Sequence, residues 1–121
     1  MSSMVKFFNA VVTGLGAGQV GCHFNSDSNY LRAVLIFKAP FNGARACVNS
    51  RIITIIPAKD KAHCIDIEEI WDGKDAEGYP WSDHMGGIRI DCTGLKFKEA
   101  VAKVVNRIKN EYKDLLENGI K

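Results

Sequence analysis

Arg51, Arg89 and Arg107 are well suited to seizing an anion, because a guanidinium can hold a phosphate or carboxylate at two points. Trp81 offers a face on which a base or ring can stack, and His84 follows it with a proton to exchange near neutral pH. Both belong to the stretch Trp71 to Gly87, which contains both tryptophans and reads as a loop from Asp72 to Gly87. Loops of that length in small domains are often functional. Gly16-Ala17-Gly18-Gln19-Val20-Gly21 matches the letters of the dinucleotide fingerprint and follows an apolar segment. Its context does not fit, since Cys22-His23-Phe24 stands where a helix should open and Phe41 where the acidic ribose partner should be. Gly16 and Gly18 therefore read as a hairpin turn, with a second role as backbone amides approaching an anion. Trp81, Arg107, Arg89, Arg51, Gly16, Gly18 and His84 make up the candidate ligand-binding set.

Other chemistries fit less well. Asp72, Asp75 and Glu77 lack the twelve-residue calcium-loop spacing and read as solvated charge. Ser82-Asp83-His84 are chain neighbours, whereas a catalytic triad assembles through the fold. A small hydrolase based on His84, Asp83 or His23 is the catalytic alternative. Cys22, Cys47, Cys64 and Cys92 are widely separated, and each lies in or beside an apolar segment, as buried free thiols do. If Cys22-His23 and His63-Cys64 lie on strands, each pair diverges to opposite faces, which disfavours zinc. No cofactor is expected.

The elements that must carry these groups are mostly strands. Phe7 to Val12, Ala33 to Phe37 and Ile52 to Ile56 are apolar on both faces, interrupted only by Asn9 and Thr54, the pattern of strands buried on both sides. Phe7 to Thr13 and Gln19 to Phe24 flank the glycines as a hairpin, with a polar turn over Asn25 to Asn29. Further strands are expected over Tyr30 to Lys38, Ala44 to Ile56, His63 to Trp71 and Ile88 to Cys92. Asp66 and Glu68 alternate outward against Arg89 and Asp91, so a cross-strand charge ladder is expected there. Phe97, Val101, Val104, Ile108, Tyr112 and Leu115 recur every three or four residues, predicting one helix from about Lys96 to Asn118. Thr93 is its expected N-cap, and Asn118-Gly119, with Ile120 folding back, its stop.

The expected fold is therefore α+β, one domain over 1–121, with a mostly antiparallel sheet of about six strands and one long C-terminal amphipathic helix packed on one face. One helix covers one face only, so the other must pack on something else, and self-association into a homo-oligomer follows. A net charge of +2 over 121 residues is too mild for a dedicated nucleic-acid binder. No leader pattern or long apolar run points to a membrane, so the chain reads as soluble and cytoplasmic.

Two functions fit this frame better than catalysis. The first is a non-catalytic homo-oligomeric module whose subunit junctions hold a small anionic or nucleotide-like molecule, lined by the Trp81 loop and the arginines. In size and plan, though not in sequence pattern, such a module is similar to the sponges with which phages sequester nucleotide signals of bacterial immunity. The second is a protein-interaction, inhibitor or immunity protein using an apolar sheet face. On that reading Trp81 packs the loop or fills an interface, where Trp is enriched.

Overall fold

In the computed structural model of the chain, residues 2–16, 21–25, 32–42 and 46–118 are described. They run α1 (Ser2–Gly14), β1 (Gly21–Asn25), β2 (Arg32–Asn42), β3 (Ala46–Pro57), β4 (Cys64–Asp75), β5 (Pro80–Asp91), α2 (Phe97–Glu111) and α3 (Lys113–Asn118). The five strands form one antiparallel sheet in chain order. The fold is α+β, but the expected six-stranded sheet with one long C-terminal helix is overturned at three places.

The first is the N-terminus, where Phe7 to Val12 belongs to helix α1 and not to a strand. Phe7, Phe8, Val11, Val12 and Leu15 are buried while Lys6, Asn9 and Thr13 are exposed, which is a helical stripe. Phenylalanine and valine favour strands only weakly, and packing against the sheet and α2 overrides that preference. The expected glycine hairpin is instead a helix end. The Leu15 amide donates to the Val11 carbonyl, the Gly16 amide to that of Thr13, and Gly16 takes φ +78°, the left-handed turn that glycine adopts without strain.

The second is the supposed loop Asp72 to Gly87. The strand does not end at Trp71: β4 continues to Asp75 and β5 begins at Pro80, so the stretch is a long hairpin. Asp75 makes the reversal possible, its carboxylate accepting from the amides of Glu77 and Tyr79. Gly73 lies opposite a bulge between Val48 and Ser50 in β3, where a Cβ would stand 1.9 Å from the Cys47 carbonyl oxygen. The strands can pass there only because residue 73 has no side chain.

The third is the C-terminal helix, which breaks at Tyr112 (φ −123°, ψ 35°) and restarts as α3. The break turns both Tyr112 and Leu115 into the core. Thr93 is not the N-cap. Its amide and hydroxyl both donate to the Asp91 carboxylate, and α2 starts four residues later, where the Lys96 amide donates to the Glu99 side chain. Gly18, the expected polar turn over residues 26–29 and the expected helix stop at 119–120 lie outside the described residues, as do the side chains of Cys22 and His23.

One hydrophobic core results, on one side of the sheet. Ala33, Leu35, Phe37, Ile53, Ile55, Ile65, Ile67 and Ile90 point into it from the strands. From the helices it receives Phe8, Val11, Val104 and Ile108, with Phe7 edge-on to the half-exposed Phe97 at 6.0 Å. Each fully buried aliphatic or aromatic side chain contributes roughly 1.5–3 kcal/mol of transfer free energy.

Candidate functional site

Strand alternation sends the remaining residues to the other side of the sheet. The register aligns them in rows: Arg32, Ile56, Asp66 and Arg89; then Val34, Thr54 and Glu68; then Ile36, Ile52, Ile70 and His84. Val34, Ile36, Ile52, Ile56 and Ile70 are half-buried and belong to no core cluster, whereas Thr54, enclosed among them, is buried. This open face is an aliphatic floor about one β-row deep with charged groups around it.

Three shallow depressions follow this floor. One, of about 410 Å³, is lined by Arg32, Thr54, Ile56, Lys59, Asp60, Asp66, Glu68 and Ile70. It shares Ile70 with a second of about 430 Å³ reaching Ile52, Pro80 and Trp81, and shares Asp66 and Glu68 with a third of about 230 Å³ at His84 and Arg89. They are parts of one surface, not separate sites.

The charged rim is largely self-neutralised. Arg89 faces Asp66, its register partner, with Nε donating to the carboxylate at 2.7 Å, and reaches Asp60 at 2.7 Å, so the expected ladder forms at this step. The Arg89 hydrogen bond holds the Asp60 carboxyl below its ordinary range, and Asp66 and Asp60 together raise the arginine. His84 Nε2 lies 3.7 Å from Glu68 Oε1, both exposed, a contact that becomes an ion pair only when the histidine is protonated. Asp83 and His84 pair with Trp71 and Ile70 respectively, so they leave the strand on opposite faces and make no catalytic dyad.

A second polar cluster lies on the helix side, where α2 ends. Arg51 and Trp71 both donate to Glu69 Oε2 at 2.6 Å, and the guanidinium stacks 5.3 Å from the Trp71 ring centre. The Glu69 side chain is only 14% exposed, so this pair is far less solvated than the Arg89 pair. Burial pushes the neighbouring Tyr112 hydroxyl up, with Glu69 and Glu111 adding to the effect. Arg107 pairs with Glu111 one turn along α2 at 3.0 Å.

The seven candidate residues thus divide. Trp81, His84 and Arg89 lie along β5 beside the open face; Arg51 and Arg107 lie near Tyr112 on the other side; Gly16 ends α1; Gly18 is outside the described residues. Trp81 Nε1 is buried with no hydrogen-bond partner among the described residues, and nothing in the structure explains it. Sequence reasoning passed over Glu69 and Asp60, but it did expect an apolar sheet face left uncovered. The floor had a signal, since Ala33 to Phe37 throughout, and Ile52 to Ile56 everywhere but Thr54, are apolar at alternating as well as adjacent positions and so must present apolar groups on both faces. Glu69 and Asp60 had none, because the arginines they pair with, Arg51 and Arg89, are remote in the chain.

Searches against protein-family models, curated proteins and solved structures find no match to this chain. The site must be judged on its own chemistry. Among the described residues no group of three or more His, Cys, Asp or Glu side chains could hold a metal ion. None of the described helices is long and apolar enough to cross a membrane.

Proposed function

We propose that this chain is a non-catalytic interaction protein whose working surface is the open face of its sheet. One observation carries the reading: α1, α2 and the core occupy one side, while Val34, Ile36, Ile52, Ile56 and Ile70 remain half-exposed together on the other. Contiguous apolar surface left in water costs free energy in proportion to its area, and on soluble proteins it commonly marks an interaction site. The mixed charges around it would form the polar rim of such a contact. Sequestration of a small anion draws less support, because Arg51, Arg89 and Arg107 each already rest on a carboxylate that a ligand would have to displace. Cys47, Cys64 and Cys92 are free thiols, which fits a reducing compartment such as the cytoplasm.

The reading is tested by hydroxyl-radical footprinting inside the cells in which the protein naturally occurs, compared with the dilute purified chain. Ile52, Ile56 and Ile70 should be oxidised several-fold less in the cell, with the outer residues of α2 unchanged. Equal oxidation of the three isoleucines in both settings would remove the open face as a working surface.

A further inference from the structure

We infer that the occupant of the open face is a second copy of this chain, its sheet stacked on the first about a two-fold axis running along β3. The inference rests on the reading that the open face is the working surface. It comes from the order of residues across the rows.

Rotation by 180° about an axis along β3 keeps each residue's height and reverses the strand order, so β2 of one copy lies over β4 of the other and β3 over itself. Ile52, Thr54 and Ile56 then meet their own counterparts. Ile36 meets the partner's Ile70, because both lie in the Ile52 row, and Arg32 meets the partner's Asp66, because both lie in the Ile56 row. Arg32 thus joins the partner's Asp66, which that copy's Arg89 already holds, while Val34 comes over the partner's Glu68, and the arrangement repeats on both sides of the axis. An isologous contact requires this self-complementarity. Placing the axis between β3 and β4 instead would set Arg32 over the partner's Arg89, like charge on like.

The size of the face sets the strength of the contact. Three overlapping strands, β2, β3 and β4, about 4.8 Å apart and seven residues at about 3.3 Å give a footprint near 330 Å² per copy. That is well below the roughly 800 Å² per partner of a standard interface, so the dimer is expected to be reversible and concentration-dependent. Aligned sheets pack about 10 Å apart and tilt by about 30°, so the register holds best beside the axis.

Sedimentation velocity from about 10 to 500 µM, the range of a small reversible interface, should carry the wild-type mass from 13.4 kDa towards twice that value. Ile52→Lys should stay at the single mass while its unfolding midpoint moves by no more than a few degrees, and Ile70→Lys serves as the second variant if the first does not fold. An isotope-filtered spectrum of mixed methyl-labelled and unlabelled chains should show contacts between Ile36 of one copy and Ile70 of the other. A wild-type chain that stays single throughout, with its isoleucines still protected in the cell, would overturn the second copy and leave the working surface intact. A dimer that survives both lysine variants, or inter-copy contacts arising from α1 or α2, would place the interface elsewhere and overturn the inference. Absence of both association and in-cell protection would bring down the working surface and the dimer together.

Discussion

Ile52 and Ile53 are neighbours on β3 with the same side chain, and they live in different solvents. Ile53 is 0% exposed under the helices, while Ile52 stands half-buried on the open floor. The polar groups divide in the same way. Glu69 on the covered face serves both Arg51 and Trp71 in a half-buried setting, whereas Arg89 on the open face holds a half-buried Asp66 and an exposed Asp60. One sheet therefore has a face that stabilises the chain and a face that spends little on stability.

The sharpest way to break this contrast is to truncate both isoleucines. Ile53→Ala should cost about 2–5 kcal/mol in denaturant unfolding of the dilute chain, through lost transfer energy and the cavity left behind. Ile52→Ala should cost less than about 1 kcal/mol there, because the residue is already partly hydrated. Similar costs for the two would mean that the open face is core.

Gly73→Ala should be the next largest effect, at about 2 kcal/mol or more, since the Cys47 carbonyl that the new methyl meets is backbone in a paired strand and cannot yield cheaply. Thermal unfolding reads it, and a neutral result would mean that the β3 bulge is absent. Glu69→Gln should cost about 1–2 kcal/mol, because it leaves the Arg51 guanidinium half-buried without its counter-charge. Arg107→Ala, which removes an exposed pair one helical turn apart, should cost no more than about 0.5 kcal/mol by the same measurement.

The two sides should also answer differently to pH. On the covered side burial raises the Tyr112 hydroxyl above its ordinary 10.0, so the unfolded chain releases that proton first. Stability is intact below pH 10 and falls as pH climbs past it, and Tyr112→Phe should flatten that alkaline limb. On the open side Arg89 lowers Asp60, so its contribution is present at neutral pH and is lost as pH falls below the ordinary 3.8; Asp60→Asn should weaken the acid limb alone. Urea titrations across pH would show the two limbs respond to the two variants separately, and a shared response would merge the faces.

Sequence alone was enough for what is local and periodic. Apolar residues throughout Ala33 to Phe37, and at every position but Thr54 of Ile52 to Ile56, dictate strands with two apolar faces, and the three-and-four spacing from Val101 to Ile108 dictates a helix. Alternation likewise set Asp66 opposite Arg89. What required the tertiary structure was everything decided by competition between distant parts. Phe7 to Val12 carries strand-favouring residues in an order that also satisfies a helical stripe, and only the presence of a core to receive Phe8 and Val11 selects the helix. Asp72 to Gly87 looks like a loop because its glycines and charges are poor strand formers. It pairs as a hairpin because Asp75 closes its turn and Gly73 lets the strands pass. The arginines read as anion clamps until folding brings each one a carboxylate, by strand register for Arg51 and Arg89 and by the one-turn spacing of its own helix for Arg107.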